Sequence, residues 1–159
     1  MPSMKAITVL TILFASFYYA VTAATLFRKG NGSNAVSKMR KTDWVSHEDG
    51  DVPDDEIIPA SNEFGLSVFN SLAALKENLR NVKDKCIWTA DSTEFATGPV
   101  SVGTAGSNGH ISLHPKGGDT AKDLKMFLNS KFTKHTKRQL LRWERSEVAM
   151  LEEHDDGLC

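Results

Sequence analysis

The 159-residue chain is poor in the residues that mark out a specialised class of protein. Two cysteines are too few for a disulfide-dense scaffold, and five prolines with eleven glycines in no repeat exclude a collagen-like chain. Long apolar runs are missing except at the extreme N-terminus, which excludes a polytopic membrane protein. No internal period appears, so a solenoid is set aside. Charge of one sign is missing as well: the net value is -1, but it averages over separate basic and acidic blocks and says nothing about partners.

Catalytic signatures are equally scarce. There is no Gly-x-Ser-x-Gly elbow, and neither cysteine stands in a thiol-protease motif. The glycines between Gly103 and Gly109 lack the Lys-Ser/Thr ending of a P-loop and the strand-to-helix setting of a dinucleotide fingerprint, and read as turns. His110 and His114 are four apart, a metal-pair spacing on a helix, but Gly109 and Pro115 flank them and no third ligand is close in sequence. The reading is therefore of a non-enzyme without metal or cofactor.

What is present first is an export pattern. Lys5 precedes the uncharged run Ala6 to Val21, and Val21-Thr22-Ala23 supplies small residues for a signal peptidase, placing cleavage between Ala23 and Ala24. The alternative is an uncleaved anchor; after cleavage no apolar run remains to hold a membrane. Asn31-Gly32-Ser33 fits the N-glycosylation acceptor pattern. Cys86 and Cys159 permit one disulfide on an oxidising route, two unpaired thiols being the alternative.

Downstream, residues 24–62 carry few large apolar side chains, with a basic block from Arg28 to Lys41 and then an acidic one from Asp43 to Glu56. Such composition predicts a disordered leader, because too little apolar surface is available to offset the entropy of ordering. Residues 63–159 read as a small helical domain. Leu66, Phe69, Leu72, Leu75, Leu79 and Val82 predict a helix from Ser67 to Asp84 with Ser67 as N-cap. Short strands are expected at Val100 to Val102 and His110 to Leu113, turning near Asn108-Gly109. Asp119 or Thr120 caps a second helix to about Asn129, and Thr136 with Gln139 forms a capping box for a third. The fold class expected is mainly α: a three-helix domain with a Gly-rich extended segment, preceded by the leader.

That third helix opens with Lys134, Lys137, Arg138 and Arg142, cations where the helix dipole favours anions. The four form a candidate patch for an acidic partner or nuclear import, against the alternative of a solvated face that pairs with the acidic leader.

The order of signal peptide, polar leader with the basic stretches Leu26-Phe27-Arg28-Lys29 and Met39-Arg40-Lys41, acidic run from His47 to Glu56 and small helical module resembles that of oomycete host-translocated effectors of the RxLR-dEER type. The likeness is one of layout: no Arg-x-Leu-Arg occurs and no arginine closes the acidic run. It implies a secreted pathogen protein that enters plant host cells and suppresses immunity or cell death by binding host proteins in host cytoplasm or nucleus; the chain itself is expected to be a monomer. Nucleic acid is not an expected partner. Two other readings stand beside it, a secreted extracellular glycoprotein that works as a binding module and a small hydrolase or nuclease using His110 or His114.

Overall fold

The computed structural model describes residues 23–79, 86–136 and 138–146. Its centre is one antiparallel sheet of six strands: β1 (Thr25–Lys29), β2 (Leu66–Phe69), β3 (Ile87–Asp91), β4 (Val100–Val102), β5 (His110–Pro115) and β6 (Thr133–Lys134). They lie side by side in the order β4-β5-β2-β1-β3-β6. The helices are α1 (Lys41–Trp44), α2 (Leu72–Asn78) and α3 (Ala121–Lys131), and residues 138–146 are also helical. The mainly α expectation is thus overturned: the helices pack on a sheet.

Register fixes the two faces. Leu26, Val68, Trp88, Ala90, Ile111 and Leu113 join α3 residues Ala121, Leu124 and Leu128 in the larger core, with Phe95 and Phe132. Phe27 and Phe69 sit opposite each other on the other face, where Leu72 and Leu75 of α2 and Leu140 cover them, with Trp143 packed alongside. Phe27 meets the Trp143 ring edge-on at 5.4 Å. Strand β1 therefore buries adjacent residues on opposite faces, as a central strand must.

This placement corrects the disordered leader. Residues 24–62 provide the middle strand and the buried side chains Leu26, Phe27, Val36, Met39, Trp44, Val52 and Ile58. Their backbone is tied to remote partners as well as to local turns. Val36 N–H donates to Asn129 Oδ1 and Asn129 Nδ2 donates to Val36 O, both at 2.9 Å, so one α3 side chain satisfies a stretch that has no strand partner. The acidic run is ordered for a related reason. The Ala121 and Lys122 N–H groups, at the open N-terminus of α3, donate to Glu56 O (2.9 Å) and Asp54 O (3.0 Å). The Asp54 carboxylate adds an ion pair with Lys125 of α3 at 2.8 Å.

The predicted helix from Ser67 to Asp84 is also corrected. Residues 66–69 are strand, because β2 is hydrogen-bonded between β5 and β1, and Leu66 and Val68 point to one face while Phe69 points to the other. The helix begins only after Ser71, whose side chain accepts from Ala74 N at 3.0 Å and so replaces Ser67 as the cap. The Arg80 to Asp84 end lies outside the described residues. The other local readings agree with the structure: β4 and β5 form where strands are expected, Gly109 turns with φ +73°, and Thr120 caps α3 by accepting from Asp123 N at 3.1 Å. In the third helix Thr136 N donates to Gln139 Oε1 at 2.9 Å.

Candidate functional site

β1 pairs with β2 at a single position, Phe27 with Phe69, and the two strands then diverge. Arg28 fills the gap. Its Nε donates to Ala35 O (3.0 Å) and its Nη1 to Ser67 O (2.7 Å), giving partners to one carbonyl of the loop after β1 and one of β2. Burial lowers this guanidinium to about 10, with Asp43 opposing the shift and Arg40 adding to it, so it stays charged at neutral pH. Burial likewise raises the Asp43 carboxyl above its ordinary value, against the pull of Arg28 and Arg40.

Around Arg28 lies a cleft of about 360 Å³ whose wall includes Lys29, Asn31, Ser37, Lys38, Arg40 and Asp43. Lys38 reaches Asp51 at 2.7 Å, whereas Lys29 and Arg40 have no salt-bridge partner among the described residues. The basic block read as leader is therefore folded around one cavity. Composition signalled its charge, but only the sheet brings it together.

The turn after β1 links this cleft to the C-terminal basic patch. Gly30 N donates to Cys86 O at 2.8 Å, and Trp88 Nε1 donates to Asn31 O at 3.1 Å, laying the turn over the indole. Lys134, whose position is opposite Trp88, reaches the same turn by donating from Nζ to Gly32 O. Arg138 and Arg142 project from the following helix and are exposed, as is Lys134. Lys137 lies outside the described residues. None of Lys134, Arg138 and Arg142 has a salt bridge among the described residues, where Lys76–Glu144 and Lys131–Glu94 show which neighbours do pair.

Other sequence candidates are dispersed. Ala23 and Ala24 are exposed just before β1, and the preceding residues lie outside the description. Asn31 is exposed, with its Oδ1 accepting from Ser33 N (2.8 Å) and Asn34 N (2.6 Å), a tight turn that presents the sequon at the surface. Cys86 is half-buried, and Cys159 is outside the described residues. His110 and His114 share the outer face of β5 with Ser112, but strand geometry holds them roughly 13 Å apart along the strand. His114 Nδ1 donates to Phe64 O at 2.9 Å. His110 Nε2 lies 3.0 Å from Ser67 Oγ on an exposed strand, and no carboxylate among the described residues orients it. Sequence reasoning did not find this Ser67–His110 contact, because the two residues meet only through the β2–β5 register. Nor do the described residues gather three metal-ligating side chains in one place, and none of their helices is long and apolar enough to cross a membrane. Comparison with known proteins matches no family model, no curated sequence and no solved structure.

Proposed function

We propose that the chain is a secreted interaction protein that works by binding rather than by catalysis, with the basic face of Lys134, Arg138 and Arg142 as its contact surface for an acidic protein. The observation that carries this is the exposure of these cations without salt bridges among the described residues. Unlike charges that neutralise one another on a solvated surface, they retain a field that attracts an opposite one. The export pattern supplies the route, and a cut between Ala23 and Ala24 leaves β1 whole, since the strand starts at Thr25. The partner class proposed is a host protein, on the export pattern and the order of basic and acidic blocks alone, since the ordered residues 24–62 and the six-stranded sheet depart from the effector layout. An extracellular glycoprotein module is the second reading, favoured by the surface turn that carries Asn31.

The test expresses the full-length chain and a K134Q/R138Q/R142Q variant. N-terminal sequencing of secreted protein should begin at or beside Ala24. Inside leaf cells, residues 24–159 should suppress cell death and enter the nucleus, and the variant should lose both effects while melting as the parent does. Unchanged behaviour of the variant rejects the patch; retention of Met1 in secreted material rejects the cut.

A further inference from the structure

We propose that the Arg28 cleft is a binding site for a phosphate monoester on a polar body such as a sugar, separate from the exposed helix patch. The first argument is charge. Among the described residues, Arg28, Lys29, Lys38 and Arg40 share the cleft wall with one carboxylate, Asp43, and Lys38 pairs with Asp51. With Asp43 set against Arg28, two cations remain, Lys29 and Arg40, which suits a dianion better than a single carboxylate.

The second is preorganisation. The Arg28 guanidinium is held by Ala35 O and Ser67 O through two of its five N–H groups, so its position in the cleft wall is set before an oxyanion arrives. Arg28 is half-buried, and the partial loss of water around its guanidinium strengthens a charge-assisted hydrogen bond there.

The third is the lining. At about 360 Å³ the cleft falls within the range of about 300 to 1,000 Å³ usual for small-molecule sites, so it has room beyond the phosphoryl group. Asn31 and Ser37 offer amide and hydroxyl groups, and no aromatic ring lines the wall among the described residues. A hydroxylated body fits this better than a nucleobase, which calls for a stacking partner.

Titration calorimetry on the protein secreted from its full-length chain tests the assignment with glucose 6-phosphate, galactose 6-sulfate, inorganic phosphate and glucose. Saturable binding of glucose 6-phosphate is expected, tighter than that of inorganic phosphate, with none for glucose. The sulfate ester should bind more weakly, as it carries one charge fewer. R40Q and K29Q, which leave the Arg28 contacts intact, should each weaken the phosphate ester by about tenfold, the loss of one charge-assisted hydrogen bond. D43N should tighten it, since a competing carboxylate is gone. K116Q, distant from the cleft wall, should change nothing. No saturable binding, or equal affinity in R40Q, K29Q and the parent at unchanged urea midpoints, overturns the proposal and leaves Arg28 as a stitch between strands. Phosphate binding as tightly as its ester overturns the role given to the polar body.

Discussion

Replacing Leu26 by alanine tests most directly whether the early segment belongs to the fold. Leu26 is 0% exposed, sits on the middle strand, and faces the larger core beside Ala90. Leucine-to-alanine changes at such sites cost about 2 to 5 kcal/mol, the transfer of the lost methyl groups plus the cavity they leave. The strands on both sides limit collapse into that cavity, which places Leu26 in the upper half of the range. Against a total stability of about 5 to 15 kcal/mol this is a large fraction. With a urea dependence of about 2 kcal/mol/M, the middle of the usual range, the unfolding midpoint of residues 24–159 should fall by about 2 M. Tryptophan fluorescence is the probe, because Trp44 is 0% and Trp88 9% exposed and both lie in the core that Leu26 helps to form. Thr25→Ala, at an exposed position of the same strand, should stay within about 0.5 kcal/mol of the parent. A midpoint for Leu26→Ala equal to that of Thr25→Ala would refute the central-strand assignment and return residues 24–62 to a detached leader.

His135 gives a pH dependence. Burial lowers its pKa from the ordinary value, with Gln139 opposing, and the ring packs on Trp143 at 4.5 Å with Nδ1 unpartnered. The unfolded chain then takes up a proton first as pH falls through about 6.5, so stability contributed by the neutral ring is lost below that pH until the folded ring protonates too. Urea midpoints between pH 7.5 and 5.5 should fall in the parent and fall less in His135→Gln. Gly109→Ala combines a φ of +73° with a new methyl 2.8 Å from Ala74 Cβ, and should cost about 1 to 3 kcal/mol by thermal melting. Ser71→Ala and Thr120→Ala each remove a helix cap and should each cost about 1 kcal/mol, adding within about 0.5 kcal/mol in the double variant because the caps serve different helices.

Where residues made their structure from near neighbours, the sequence was readable. Thr120 and the stripe of Ala121, Leu124 and Leu128 announced α3, Thr136 and Gln139 announced the last helix, and Asn108-Gly109 announced the turn before β5. Each depends on hydrogen bonds or packing within a few positions, so local chemistry is enough. The charges of Arg28, Lys29, Lys38 and Arg40 were visible too, but not their convergence. Strand β1 was not legible, because a strand covered on both faces shows no alternation and five residues are too few to declare themselves by length. The long stretch after it has no period at all; Val36 and Ile58 become core only because Asn129, and Asp119 O with Gly118 N–H, make the hydrogen bonds that their buried backbone needs. Residues 66–69 carried a helical spacing that lost to the sheet, since β5 and β1 offered β2 a ladder on each edge. The candidate cleft follows from that same competition: it opens where β1 and β2 part after one pair, a consequence of register that no stretch of sequence contains.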